Sequence, residues 1–114
     1  MCSMTSKGSL LGQLQRAIER GDVLAIRSLA GELPEVPLAI AAQITLVLLQ
    51  REPESYAPAA RRLLGRLASE RVIPLRQLVD VAAILAELEA DPAFTAGERL
   101  LRLIEAAPRP ARRD

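Results

Sequence analysis

Residues 38–50, LAIAAQITLVLLQ, constrain the fold more than any other stretch of this chain. Only Gln43 and Thr45 interrupt the apolar run before the polar Gln50. A surface helix carries one apolar stripe, whereas a helix that is apolar nearly all round has to be covered by neighbours on most sides. The segment therefore reads as the central helix of a small helical protein. Its apolar stretch falls well short of the roughly 20 residues that span a bilayer, so the cover is expected to be protein.

That cover must come from a chain of 114 residues, long enough for one core but not for a second. Half of the residues are hydrophobic while aromatics make up 2%, so the core has to be built from Leu, Ala, Ile and Val. Ala and Leu head the helix-propensity scale, and the β-branched and aromatic strand signal is weak. An all-α fold follows, and the helix breakers divide it into about six helices. The first runs from a Ser9 cap to Arg20. Gly21 ends it, and Asp22 caps a second helix that reaches about Glu32. PEVP at residues 34–37 forms a linker, with Pro37 suited to the first helical position of the central helix. That helix ends near Glu52, before Pro53. Ser55 is placed to cap the fourth helix, Pro74 opens the fifth, and Thr95 with Glu98 forms a capping box for the sixth. Residues 1–8 have turn composition and are expected to be disordered, residues 9–107 form a single all-α domain, and 108–114, PRPARRD, form a disordered basic tail.

Six helices on short linkers invite a search for repeats. The pairs Pro37-Leu38 and Pro74-Leu75 stand 37 residues apart, preceded by Val36 and Ile73. The same offset pairs Ile44 with Val81, Leu48 with Leu85 and Ala59 with Ala96. It also pairs Arg62, Leu63 and Leu64 with Arg99, Leu100 and Leu101, and Leu67 with Ile104. Three stacked αα-hairpins, each unable to bury its apolar faces alone, would cover the middle one from both sides and account for the apolar third helix. A compact six-helix bundle is the alternative. In this general sense the chain is similar to αα-hairpin helical-repeat proteins, although the signature residues of those families are not at matching positions. Through GDVLAIRSLAGELPEVPLA (residues 21–39) and SYAPAARRLLGRLASE (residues 55–70) it also resembles short, unassigned all-α proteins of high-GC bacteria. Neither resemblance implies an activity or a site.

The residues offer little to catalysis. There is no His, which removes the commonest general acid–base and the usual partner of Ser or Cys nucleophiles. Cys2 is the lone cysteine, so no intramolecular disulfide and no Cys/His zinc site can form. A reducing, cytoplasmic setting is expected. Asp80, Glu87 and Asp91 share a helical face but read as a solvated stripe. No catalytic residue, metal site or cofactor is expected.

A net charge of +1 gives no overall steering, and the one concentrated charge is the arginine row of the fourth helix, Arg61, Arg62 and Arg66. It suits an acidic protein partner or, as an alternative, a nucleic-acid backbone. No aromatic residues interleave to stack bases, and Glu70 stands i,i+4 from Arg66. Gly65, in the middle of that helix, costs about 1 kcal/mol relative to Ala. It reads either as a close-packing point against a neighbouring helix or as a place where a partner backbone approaches. Tyr56 and Phe94 open even-numbered helices and read as staples between loop and helix rather than as binding hot spots. The outer faces of the end hairpins lack neighbours, and Leu103 lies about 60° from the centre of the last helix's apolar stripe. A homodimer or protein partner seated there is expected. The chain thus reads as a non-enzymatic interaction or adaptor module, with Arg61, Arg62, Gly65, Arg66 and Leu103 as its candidate partner-binding residues.

Overall fold

The computed structural model describes residues 7–91 and 96–108. Among these the regular elements are α1 (Lys7–Arg20), α2 (Val23–Glu32), α3 (Leu38–Arg51), a 3-10 turn (Pro53–Ser55), α4 (Tyr56–Glu70), α5 (Leu75–Ala90) and α6 (Gly97–Ala106). Each odd-numbered helix pairs with the next to make three αα-hairpins. The middle hairpin is covered from both sides. The first lies against α3, while the third places α5 against α4 and α6 against α3, so that α3 to α6 close into a four-helix ring. The molecule is 20 Å across its thinnest dimension, which is two helix diameters.

The composition of α3 follows from this position. Ile40, Ile44 and Val47, spaced i, i+4 and i+7, pack with Leu14, Ala17, Ile26 and Leu33 of the first hairpin. Leu38, Ala42 and Leu49 belong to the larger core shared with α4, α5 and α6. Both polar interruptions are hydrogen-bonded, Gln43 across to α1 and Thr45 within its own helix. The Gln15 side-chain amide of α1 donates to Gln43 Oε1 at 2.8 Å, and the buried Thr45 hydroxyl donates to the Ala41 backbone carbonyl one turn back.

The breakers act largely as expected. Gly21 takes the left-handed conformation, φ 69°, and its N–H bonds to the Ile18 carbonyl while that of Asp22 reaches Ala17. This is the 5→2 and 6→1 pair of a Schellman stop. Asp22 then accepts the Ala25 N–H at 3.1 Å and caps α2. Pro37 and Pro74 hold matching extended conformations, each just before its helix rather than inside it, and their carbonyls accept the first helical hydrogen bonds. Three termini differ from expectation. Helix α1 already begins at Lys7, so Ser9 lies within it. Ser55 makes no side-chain cap, because its hydroxyl is turned to Glu52 while the 3-10 turn leads the chain into α4. Ala96 occupies the cap position of α6, and Thr95 lies outside the described residues. The start of the expected 108–114 tail is tied down, since Val72 N–H donates to the Pro108 carbonyl at 2.8 Å. Residues 1–6 and 109–114 lie outside the described residues.

The 37-residue offset is written into burial along most of its length, though Leu38 is buried where Leu75 is exposed and Ile44 is half-buried where Val81 is buried. Leu48 and Leu85, Ala59 and Ala96, Leu63 and Leu100, and Leu67 and Ile104 are all buried. Leu64 and Leu101 are both half-buried, and Arg62 and Arg99 are both exposed.

Candidate functional site

Helices α2 and α4 both rest on α3 and leave a groove between them. It consists of two adjoining hollows of about 350 and 310 Å³, which share Ala30, Ile44, Leu48 and Arg62. Ile44 and Leu48 of α3 form an apolar floor. Ile26 and Ala30 supply one wall, and Pro58, Ala59 and Leu63 the other. The rim carries three arginines in three different electrostatic states.

At one end Arg27 holds Glu52 through two hydrogen bonds, 3.0 and 2.6 Å, and the Ser55 hydroxyl donates to the same carboxylate. These bonds pull the Glu52 pKa down to about 2. Toward the other end Arg66 is half-buried, bonded to Glu70 at 2.7 and 3.1 Å and 3.8 Å from Glu35 in the α2–α3 linker. The bond from Arg66 also keeps the Glu70 carboxyl below the usual range. Arg62 lies between them on the α4 wall, exposed and, among the described residues, in no ion pair.

The structure rearranges the candidates read from sequence. Arg61 does not share a face with Arg62 and Arg66. One helical step of 100° swings it to the opposite flank of α4, where it lines a crevice of about 160 Å³ beside Tyr56, Leu85 and Glu89 of the α4–α5 contact. Arg62 and Arg66, one turn apart, remain together in the groove. Gly65 is not a packing point: it is exposed, and a Cβ there would meet nothing within 4 Å. Leu103 is not a bare end either. It is half-buried against the four-helix core, because α6 touches both α3 and α5 and needs a broad apolar stripe. Tyr56 is a tether between helices. It is buried, and its hydroxyl donates to the Leu85 carbonyl at 2.7 Å, while burial pushes the phenol up to about 12. Phe94 lies outside the described residues.

Sequence reasoning missed the floor and the clamp. Ile44 and Leu48 looked like ordinary core positions, and only the divergence of two hairpins over α3 opens a hollow above them. Arg27 and Glu52 are 25 residues apart, and nothing local announces their pairing. Among the described residues no three His, Cys, Asp or Glu side chains stand close enough to hold a metal ion, and no helix is long and apolar enough to cross a membrane. No protein-family model matches the chain, and no curated protein or solved structure does either. The groove has to be read from its own chemistry.

Proposed function

We propose that the protein is a non-enzymatic protein–protein interaction module of the helical-repeat type, which seats an apolar segment bearing a carboxylate in the groove between α2 and α4. One observation carries this reading. Among the described residues Arg62 stands without an ion pair above an apolar floor, between two arginines already committed to carboxylates of the same chain. Apolar walls exclude water and strengthen a charge-assisted bond, and the planar guanidinium meets a carboxylate with two parallel hydrogen bonds. The α3 residues that floor the groove run from Ala41 to Leu48, about 10 Å at 1.5 Å per residue, which suits about two turns of helix anchored at i, i+3 and i+4. A cytoplasmic adaptor role is consistent with it.

Panning a displayed library of short peptides against the purified chain tests the proposal. The expected winners combine helically spaced apolar residues with an Asp or Glu. Arg62→Glu should weaken them at least about tenfold, equivalent to 1.4 kcal/mol, whereas Arg99→Glu, at the equivalent position of the next hairpin, should leave them unchanged. Both sites are exposed, so circular dichroism should report an unaltered fold. Enrichment that ignores Arg62→Glu sinks the groove reading. A salt-dependent gel shift lost on Arg61→Ala plus Arg62→Ala would replace it with nucleic-acid binding.

A further inference from the structure

The repeat register exposes a face that should not be bare. On α3, Leu38, Ala42 and Leu49 are 2, 0 and 5% exposed, because the third hairpin packs over them. At the 37-residue offset their equivalents on α5 are Leu75, Val79 and Ala86. Leu75 and Val79 are 75 and 58% exposed, and Ala86 is exposed as well. With Ala83 and Ala90 they occupy an arc of about 80° on α5 that contains no polar side chain. This arc is separate from the stripe of Val81, Ile84, Leu85 and Leu88 that α5 gives to the core. Two of the four large exposed hydrophobics among the described residues are therefore on this face, and a third, Val72 in the α4–α5 linker, is 56% exposed beside it in sequence. The position that α3 uses to receive the next hairpin is repeated on α5, where no described residue covers it.

We propose that a second copy of this chain covers it, α5 against α5 in antiparallel order about a two-fold axis near Ala83. The face is self-complementary in that order only. Its N-terminal half carries the large residues Leu75 and Val79, and its C-terminal half the small ones Ala86 and Ala90. Antiparallel packing seats Leu75 on Ala90 of the partner subunit and Val79 on Ala86 of the partner subunit, whereas parallel packing sets large on large and leaves the alanine half unfilled. Charge points the same way. Arg76 borders the face at one end and Glu87 on the same edge at the other, both exposed. Reversal about a two-fold axis lays this edge against its own copy and brings Arg76 to Glu87 of the partner subunit, while parallel order turns it to the partner's opposite edge and forms no such pair. Asp80 falls mid-edge, where reversal leaves it about 7.5 Å along the axis from Asp80 of the partner subunit, with Arg76 one turn away on its own helix to offset that approach. Glu89 lies on the opposite edge, about 20 Å along the axis from its copy. A two-fold contact also closes on itself, where head-to-tail use of the same face would continue into a filament. One helix of this length supplies an interface at the small end of specific complexes, so the dimer should dissociate in the micromolar range. The α5 face is separate from the groove between α2 and α4, and its use does not depend on what the groove binds.

Sedimentation velocity of the purified full chain should show a concentration-dependent monomer–dimer equilibrium. Val79→Glu, at a solvent-exposed position that does not threaten the fold, should abolish it with helicity unchanged. Arg76→Glu and Glu87→Arg should each weaken it several-fold, and the double swap should restore it. In a Cys2→Ser background, mild oxidation of a mixture of Leu75→Cys and Ala90→Cys chains should give mixed-chain dimers in excess of either same-chain dimer. A monodisperse monomer throughout, open-ended oligomers, or preferential linkage of one Leu75→Cys chain to another would each overturn the proposal.

Discussion

At the residue scale, the informative contacts join positions that the sequence does not bring together. Arg27 and Glu52 tie α2 to the turn before α4, and Ser55 forgoes its capping role to add a bond to the same carboxylate. Because Glu52 titrates at about 2 instead of its ordinary 4.5, the folded state binds this proton less readily than the unfolded chain. The clamp therefore contributes fully above pH 4.5, and its contribution fades as pH falls from 4.5 toward 2. Carboxyl-resolved NMR titration should find the Glu52 midpoint near 2 in the wild type. Arg27→Ala should return it toward the ordinary glutamate value, and Ser55→Ala should move it less far, since the Arg27 bond is the larger cause. An unmoved midpoint in Arg27→Ala would mean that the clamp is not formed in solution.

At the element scale, the repeat sets equivalent residues in unequal surroundings. Leu48 and Leu85 are both buried, yet Leu85 belongs to the closed four-helix core while Leu48 forms the floor of an open groove. Leu85→Ala should cost about 2–5 kcal/mol, the transfer loss plus a void that borders only the narrow crevice of about 160 Å³ between α4 and α5. Leu48→Ala should fall near the lower end of that range, because the space it vacates opens onto the groove. Arg76→Ala, on the exposed edge of α5, should change stability by less than about 0.5 kcal/mol. Urea melts of the three variants check the order Leu85, Leu48, Arg76, and any inversion would contradict the assigned faces. The helices themselves were legible because apolar period and breakers act locally: Gly21 and Asp22 stop and restart the chain as their chemistry requires. The α4 cap was not, because Ser55 donates instead to the Glu52 carboxylate three residues back, which Arg27 of α2 holds in place.

For the whole molecule, the two clusters of buried apolar residues are unequal. Among the described residues the four-helix core gathers fifteen buried side chains, and the cluster under α1 and α2 gathers four. Both touch α3, but the first hairpin rests on it through one face alone. Hydrogen exchange should therefore find α1 and α2 opening at lower free energy than α3 to α6, as a separate cooperative unit. Uniform protection across all six helices would show that the two clusters unfold together.

What the sequence determined by itself is everything that depends on near neighbours along the chain. The helical class, six helices, the Gly21 stop, the Asp22 cap and the 37-residue echo of burial all rest on propensity, capping and periodicity within a few turns. The apolar character of residues 38–50 also announced a helix covered on several sides. The tertiary structure decided which helix meets which, and with that the fate of every candidate residue. Arg61 and Arg62 are adjacent in sequence but serve opposite flanks of α4, Arg66 is taken up by Glu35 and Glu70, and Leu103 is drawn toward the core. The bare face came to rest on α5 instead, at Leu75 and Val79. The reason is physical: periodicity states how many apolar faces a helix has, but only the packing of the other helices selects which of those faces is covered.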